Sequence, residues 1–364
     1  MGEARCGMLI RSGGASGQPG TTGADDPRGT RDAEPRGRSP IRPRKEVTVH
    51  DLIILGGGPA GLTAAVYAIS KRLDVLLLSE NLGGKTNHRM RLRGMEGFEH
   101  VTGEEVVRRF RGQIEYMDHI SRMEKVVAIE ALAATPGRTR FAVVTASGEK
   151  IEGRALIVAT GANPTHLNVP GEQEYIGRGV SYSAVSHAPL FWGRDAAVVG
   201  SGHLAQRGAA ELATVANHVY LVAPDTATGD SVLRTTSAAT ENVTELTGYT
   251  LTAVRGMEHV TEMSVRAPDG EERGIPVQGV FIELGLVPNS AFLGGLVDLT
   301  PDGFVRVDNR GATSRPGIFA AGDVADSYAE QVLIAVGDGA KAALAAYEHL
   351  LGQPRAPAEV AGEA

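Results

Sequence analysis

The sequence predicts an α/β protein with two Rossmann-like three-layer domains. Two stretches predict this fold class, residues 50–68 and residues 195–205. In each, an apolar run is joined to a helix-forming segment by closely spaced glycines. A further apolar run follows each helix, at residues 74–78 and 219–222. Strand, glycine turn, helix and second strand in this order are typical of a nucleotide-binding βαβ unit.

The first glycine turn fits the G-x-G-x-x-G pattern with Gly56, Gly58 and Gly61. Gly56 permits the tight turn, Gly58 lets the backbone approach a pyrophosphate, and Gly61 lets the helix pack closely on the strand. The N-terminus of that helix then faces the phosphates. Ser79 and Glu80 close the second strand, where a ribose-binding acid belongs. The sequence therefore predicts a bound dinucleotide at this turn.

The second unit repeats the spacing with Gly200, Gly202 and Ala205. Two such units indicate either two bound nucleotides or one used site and one relic. The other elements follow from apolar runs and turn residues. They are a helix from 103 to about 118 opened by Thr102, strands near 125–131 and 140–145 with a turn at 147–150, strands at 155–162 and 279–285, and a last helix over 331–351.

Composition excludes several classes of partner. The 364 residues carry a net charge of −7, which argues against nucleic acid and anionic membranes as partners. No apolar run approaches the roughly 20 residues that span a bilayer. The single cysteine, Cys6, lies in a Gly-, Pro-, Arg- and Ser-rich stretch over 1–46, which is expected to be disordered. We therefore expect no disulfide, no thiolate metal site and no redox dithiol in the fold, and the sequence assigns no metal ligands.

Residues 1–46 fit either a basic interaction arm or a dangling tail, and residues 353–364 are predicted to be a flexible tail. The N-terminal stretch lacks the apolar core of a signal peptide. A cytoplasmic location is therefore expected.

Five motifs make the sequence similar to the low-molecular-weight thioredoxin reductase family. They lie at residues 56–61, 159–162, 179–182, 322–324 and 336–340, and the resemblance covers residues 49–351. It implies an FAD-binding domain formed by residues 47–162 and 287–352. It also implies an inserted NAD(P)H-binding-like domain over 163–286, and a homodimer.

The resemblance further implies which residues contact FAD. Pyrophosphate would lie at Gly58–Gly61, the adenosine ribose at Ser79 or Glu80, and the adenine at a backbone group near Val126. Asp323 would accept a hydrogen bond from a ribityl hydroxyl, and the helix that starts at Gln331 would direct its amides at the flavin N1–O2 edge. The full set is Gly56, Gly58, Pro59, Ala60, Gly61, Ser79, Glu80, Gly84, Lys85, Asn87, Val126, Thr160, Gly161, Gly322, Asp323, Gln331 and Val332.

The chain departs from the family at the redox dithiol. The matching positions read Ser183-Ala184-Val185-Ser186, so both cysteines are serine. A hydroxyl cannot take two electrons from a flavin, and disulfide reduction by the family's route is therefore excluded. His187 stands where the family usually has an acidic proton donor. Ser183, Ser186 and His187 remain the candidate catalytic residues.

A second departure lies at the expected nicotinamide site, formed by Gly200, Gly202, Leu204 and Asp225. The family's basic cluster for the 2′-phosphate of NADPH is replaced by residues 223–229, which contain no arginine. Asp225 would repel that phosphate, so NADPH is disfavoured and NADH remains possible. Asp225 is either a partner for the ribose diol of NADH or a turn aspartate after Pro224.

The third departure surrounds the flavin ring. Lys85 replaces a glutamine, residues 94–97 replace an Asn-Tyr-Pro-Gly loop, and Glu330 replaces an arginine. Lys85 is either a solvated loop residue or a charge near the flavin that raises its reduction potential. His88 and His187 are the titratable groups nearest the expected ring; as surface histidines they would need no special role.

These changes predict an FAD-dependent oxidoreductase without dithiol activity. It would pass electrons between NADH, or a carrier protein of the ferredoxin type, and an acceptor that the sequence does not identify. A non-enzymatic flavoprotein and a ferredoxin–NAD(P) reductase-like enzyme are the alternatives.

Overall fold

The computed structural model describes residues 49–87, 90–92, 103–117, 119–133, 138–225 and 241–353. The predictions for residues 1–46 and 354–364, for His88, for the 94–97 loop and for the cap at Thr102 therefore lie outside the described residues. All described residues belong to one compact unit.

The chain forms its elements in a fixed order. The first group is β1 (Val49–Gly57), α1 (Pro59–Ser70), β2 (Val75–Leu82), α2 (Gly103–Tyr116), β3 (Ser121–Met123), β4 (Val126–Ala131), β5 (Phe141–Thr145) and β6 (Lys150–Val158). The next is β7 (Ala162–Pro164), β8 (Val180–Ser181), α3 (Ala184–His187), β9 (Asp195–Val199), α4 (His203–Ala213) and β10 (His218–Ala223). The last is β11 (Val243–Thr247), β12 (Thr250–Gly256), β13 (Val260–Arg266), β14 (Glu272–Pro276), β15 (Gly279–Ile282), β16 (Leu286–Pro288), β17 (Ile318–Ala320) and α5 (Val332–Leu351).

A seven-stranded sheet has the order β3-β2-β1-β6-β5-β4, with β17 also paired to β6. The strands β3, β2, β1, β6 and β17 run parallel, and β4 and β5 are antiparallel additions. β1 is apolar along its centre because both faces of the sheet are covered. This arrangement places the carboxyl ends of the parallel strands, and the loops that follow them, at one edge.

Helices α1 and α5 pack against each other on this sheet through small residues. A Cβ added at Gly339 would lie 2.1 Å from the carbonyl oxygen of Ala60, so only glycine fits there. Ala60 itself is the second residue of α1. The first turn of α1 is thereby held against α5.

A five-stranded parallel sheet has the order β11-β10-β9-β15-β8. Helices α3 and α4 and the 3₁₀ turn Ala188–Phe191 cover one face of it, around Phe191 and Phe281. The antiparallel strands β12, β13 and β14 form a separate three-stranded sheet that packs on the other face.

An antiparallel ribbon of β7 and β16 joins the two large sheets. Both expected domain boundaries, at 162/163 and 286/287, fall within this ribbon. The segment 90–92 makes a further link, because Leu92 is buried in the core of the second sheet. Arg91 N also donates to Gly177 O at 2.7 Å.

Several element boundaries differ from the predictions. β2 continues to Leu82, so Ser79 and Glu80 lie inside the strand and do not close it. β6 begins at Lys150 and ends at Val158, short of the predicted 162. Helix α2 ends at Tyr116, and Gln331 is the N-cap of α5. The sheet of β12–β14 was not predicted, since its polar, half-exposed strands lack a long apolar run.

Within the described part of the chain, no helix is both long enough and apolar enough to cross a membrane.

Candidate functional site

The first glycine turn is tight at two of its glycines and open at the third. Gly56 has φ +111°, and a Cβ there would lie 2.2 Å from Ala159 O. A Cβ on Gly61 would lie 1.8 Å from Gly56 O, whereas one on Gly58 would meet no atom within 4 Å. Folding therefore requires glycine at 56 and 61 but not at 58. The clear space at Gly58, the N-cap of α1, is a cradle that fits a pyrophosphate.

Pro59 is the first residue of α1 and has no N–H to leave unpaired. The first turn of α1 contains no acidic residue and Gly58 offers no side-chain cap. The free amides of this turn are consequently available to an anion.

Two residues were candidates for the ribose, and their surroundings differ. The Ser79 hydroxyl accepts from Gly57 N at 2.8 Å and donates to Asn81 O at 2.6 Å, so it braces the turn. Glu80 is exposed and lies 3.7 Å from Lys125 Nζ. Glu124 N donates to Ser79 O, which brings the segment leading to Val126 beside the end of β2.

The short 3₁₀ turn Gly84–Asn87 lies directly over the glycine turn. A Cβ on Gly84 would lie 3.1 Å from Gly58 Cα. Asn87 Nδ2 donates to Leu82 O at 3.0 Å and so closes the turn on itself. Lys85 Nζ lies 2.5 Å from Asp323 Oδ2, which joins this turn to the loop after β17.

Two glycine-containing loops complete the wall of this site. Gly322 has φ +72°, and a Cβ there would lie 3.0 Å from Ala60 Cβ. Thr160 Oγ1 donates to Asn289 O at 2.7 Å, and Asn289 N donates to Gly161 O at 2.9 Å. Sequence reasoning missed Asn289, because only the ribbon of β7 and β16 brings it to residues 160–161.

The serine pair lies at the N-terminus of α5. Ser183 Oγ donates to Ser186 Oγ at 2.9 Å, and Gln331 Nε2 donates to Ser186 Oγ at 3.3 Å. Ser183 is also the N-cap of α3, since it accepts from Ser186 N. The fold thus brings Ser183, Ser186, Gln331 and the adjoining Val332 together. His187 lies at the end of the same helix, but its ring contacts Ser181, with Nδ1 2.9 Å from Ser181 Oγ.

Burial acts on the pKa of two carboxyls near α3. Burial raises the pKa of Glu283 to about 7; Glu330 and Glu211 add to the rise, and the Ala184 N–H bond and Arg207 oppose it. Burial also raises the pKa of Glu330, with a contribution from Asp323 that Lys85 opposes. Sequence reasoning missed Glu283; its signal was a charged residue at the end of the apolar run of β15.

The second glycine turn repeats the geometry of the first. Gly200 has φ +147°, and a Cβ there would lie 2.6 Å from Glu283 O. Gly202, the N-cap of α4, has no atom within 4 Å of an added Cβ. Leu204 is half-buried in the first turn of α4. Asp225 is exposed and lies beside this turn, because its N–H donates to Ser201 Oγ at 3.2 Å.

Metal chemistry has no candidate centre in the described ranges, since no group of three His, Cys, Asp or Glu is placed to hold an ion there.

Comparison with known proteins gives consistent matches. Residues 50–339 match the family described as pyridine nucleotide-disulphide oxidoreductase. One of the subunits of alkyl hydroperoxide reductase in Pseudomonas putida is 36% identical over 306 residues, which are 83% of this chain and 58% of that protein. A protein named NADH dehydrogenase from Bacillus subtilis is 33% identical, over 83% of this chain and 58% of its own length. The chain thus spans just under three fifths of these relatives.

Among solved structures, thioredoxin reductase from Streptococcus pyogenes has a TM-score of 0.75 and 30% identity, and covers 84% of this chain and 99% of its own. The Giardia duodenalis thioredoxin reductase has a TM-score of 0.73 and 27% identity, over 83% and 99%. These matches confirm the predicted α/β fold class and the resemblance to thioredoxin reductases. The chain belongs to the pyridine nucleotide-disulphide oxidoreductase family.

Proposed function

We propose that the protein is an FAD-dependent oxidoreductase that passes electrons between NADH, or a carrier protein, and an acceptor other than a disulfide. When bound, FAD would supply one- and two-electron transfer. The observation that carries the proposal is the serine pair beside Gln331. Hydroxyl groups stand where the family's thiols would meet the flavin, so Ser183 and Ser186 can donate hydrogen bonds but cannot carry electrons.

The residues around the first glycine turn fit FAD. The free amides of α1 and the cradle at Gly58 suit a pyrophosphate. Glu80 is the better candidate for the ribose, because the Ser79 hydroxyl is already bonded to backbone. The N-terminus of α5, capped at Gln331, would stabilise negative charge on reduced flavin.

Lys85 adds a cation to this site. Its ammonium pairs with Asp323, the residue expected to bind the ribityl chain, and half of its side chain remains exposed. A positive charge near the flavin favours the anionic reduced form. We therefore propose that Lys85 raises the flavin reduction potential and that Asp323 is shared between Lys85 and the cofactor.

NADH is the proposed nicotinamide donor. Asp225 lies next to the second glycine turn, and no arginine is present over residues 223–229 to bind a 2′-phosphate. The Bacillus subtilis relative is named NADH dehydrogenase, which supports the same donor. A ferredoxin-type carrier and a purely structural or redox-sensing FAD remain predictions that no contact in the described residues favours.

A homodimer is also proposed. Leu333, Leu344 and Leu351 lie on one face of α5 and are 61%, 38% and 64% exposed. The residue spacings of 11 and 7 place them in one stripe, and Lys71 of α1 covers Tyr347 beside it. A second copy would remove this stripe from water. Sedimentation analysis should give twice the chain mass of 38.1 kDa, and a monomer at micromolar concentration would contradict it.

The experiment that tests the function uses the purified chain with FAD. Anaerobic mixing with NADH, NADPH or reduced ferredoxin should bleach the flavin with at least one donor. Thioredoxin and DTNB assays should give no rate above that of free flavin with any donor. A measurable disulfide reductase rate would refute the proposal, and a flavin that no donor reduces would favour the non-enzymatic alternative.

A matched variant separates the missing thiols from the changed donor site. Replacing Ser183 and Ser186 together with cysteine should restore the dithiol but not efficient disulfide reduction from NADPH, because residues 223–229 would still lack a 2′-phosphate site. Efficient NADPH-dependent activity in that variant would show that the changed residues 223–229 do not prevent the use of NADPH.

A further inference from the structure

Glu283 is a buried carboxyl that the proposed FAD chemistry does not use. It follows β15 directly and is 9% exposed. Its backbone is fixed, since Glu283 N donates to Val199 O at 2.9 Å. Its side chain passes α4 at Gly208, where an added Cβ would lie 3.6 Å from Glu283 Cγ. In the described residues no cation lies within ion-pair distance of it.

The carboxyl ends at the first residue of α3. Ala184 N donates to Glu283 Oε1 at 2.6 Å, and both groups are buried. Helix α3 has only four residues, so it has little stability of its own. Its position depends on the Ser183 cap, on the bond to Glu283 and on packing against α4.

The same short helix carries the serine pair. Ser183 precedes Ala184 and Ser186 follows it by two residues, so a shift of Ala184 moves both hydroxyls. Ser186 is also the residue that meets Gln331 at the N-terminus of α5. Glu283 therefore contacts, through Ala184, the short helix whose Ser186 meets Gln331 beside the expected flavin.

We propose that Glu283 is a positioning residue, which holds α3 through Ala184 so that Ser186 meets Gln331, and which holds it more firmly when its carboxyl is neutral. The proposal rests on the proposed function only in placing the flavin beside Ser186. An ionised carboxylate forms a stronger hydrogen bond to an N–H than a neutral group does. Without a paired cation, however, the buried charge costs more than that bond contributes, because burial has a larger effect on Glu283 than the bond from Ala184 N has.

Charged groups on each packed element act on this carboxyl. Arg207 and Glu211 lie on α4, paired at 3.0 Å, and Glu330 precedes α5. His187 is the titratable residue of α3 itself and contacts Ser181 Oγ. Burial raises the pKa of Glu283 to about 7, and Glu330 and Glu211 add to the rise. The carboxyl is thus half-ionised near neutral pH, and the hold on α3 is expected to loosen between pH 6 and 8, because movement of α3 would let water reach the buried charge.

The first test measures amide hydrogen exchange of residues 181–190 in the full chain as purified, corrected for the intrinsic pH dependence of exchange. In the wild type, protection of Ala184 should fall several-fold from pH 6 to pH 8. Glu283→Ala removes the acceptor and should speed exchange roughly ten- to a hundredfold at pH 6. Glu283→Gln keeps an oxygen acceptor but no charge, and should restore most protection without the pH dependence.

The second readout is the absorption spectrum of bound FAD between pH 6 and 8. A transition near pH 7 that is present in the wild type and absent in Glu283→Gln is expected if α3 touches the flavin; a purely structural carboxyl would not produce it. Glu211→Gln is the matched control, and should keep both effects with a slightly lower transition pH.

Unchanged exchange in Glu283→Ala, or a pH transition that survives in Glu283→Gln, would overturn the inference. Failure of the proposed function is distinguishable, because it would appear as a chain that binds no FAD while the exchange result still stands.

Discussion

The two glycine turns of this chain have similar backbone contacts but different buried side chains behind them. In each, the first glycine approaches the carbonyl of the residue after a neighbouring strand, Ala159 for Gly56 and Glu283 for Gly200. In each, the glycine at the helix N-cap leaves clear space. The conformation suited to a phosphate is therefore the same in both halves.

The buried side chains around the turns are not the same. Ala159 in the first half corresponds to Glu283 in the second, since each donates its N–H to the strand that enters the turn. Leu62, four residues after the first N-cap, corresponds to Gln206, four residues after the second. Leu62 is fully buried in an apolar core, whereas Gln206 is 1% exposed and neither atom of its amide has a hydrogen-bond partner.

A glycine turn of this kind is thus maintained by a few backbone contacts, and the side chains buried behind it are free to change. An unpaired buried amide costs about 1–3 kcal/mol. The second half thus carries polar groups that reduce its stability, one of which supports α3.

The largest expected effect is the loss of a different ligand at each turn. Gly58→Val should yield protein without FAD, because the side chain fills the cradle while its Cβ meets no atom of the fold. Gly202→Val should keep FAD and lose reduction by NADH, for the same reason in the second turn. The ratio of absorbance at 450 nm to that at 280 nm and anaerobic bleaching measure the two effects. Full FAD content in Gly58→Val would show that the first turn does not hold the pyrophosphate.

The second prediction concerns the donor at the second turn. Family arginines form charge-assisted bonds to the 2′-phosphate that contribute about 1.5–3 kcal/mol each. Losing two lowers NADPH affinity by roughly two to four powers of ten. Anaerobic titration at 450 nm should therefore show bleaching by NADH at far lower concentration than by NADPH.

Two substitutions of one residue sharpen this result. Asp225→Arg should reduce the difference in affinity between NADH and NADPH. Asp225→Asn should remove only the repulsion of the 2′-phosphate and should reduce that difference less. Bleaching of the wild type by NADPH at the lower concentration would show that Asp225 does not have the assigned role.

The third prediction concerns the stability that is lost by burying a carboxyl at Glu283, where the first half has Ala159. The folded pKa of about 7 lies above the usual 4.5, so the folded state binds the proton more tightly than the unfolded state. Stability from this group is complete below pH 4.5 and is lost as the pH rises through 7. Glu283→Gln should therefore stabilise the protein at pH 8, by on the order of 3 kcal/mol at most, and change little at pH 4.5. Thermal unfolding at both pH values measures this, and equal shifts at the two would contradict it.

The smallest expected effect comes from exchanging the side chains of the corresponding residues Leu62 and Gln206. Gln206→Leu should raise stability by about 1–3 kcal/mol, since it removes an unpaired amide from the interior. Leu62→Gln should lower it by at least as much, because it places such an amide in the apolar core of the first sheet. Denaturant midpoints of both variants give the comparison. A destabilised Gln206→Leu would indicate that the amide has a partner in solution.

Local patterns in the sequence by themselves determined the two strand–turn–helix units of this protein. Both strand–turn–helix units could be predicted, because an apolar run, spaced glycines and a helix former act over neighbouring residues. The serines at positions 183 and 186 were equally visible, and the loss of dithiol chemistry that they imply stays a prediction. The family resemblance supplied the expected FAD contacts, which stay predictions at the level of single residues.

Tertiary structure alone decided which distant groups meet. Lys85 contacts Asp323, Gln331 contacts Ser186, and Glu283 holds Ala184 across 99 residues of chain. It also showed that the Ser79 hydroxyl braces the turn through bonds to Gly57 N and Asn81 O. No local pattern specifies these contacts, because each arises where loops from separate strands converge at the carboxyl ends of two sheets. The position of those loops is set by packing of the whole core and by the β7–β16 ribbon that joins its halves.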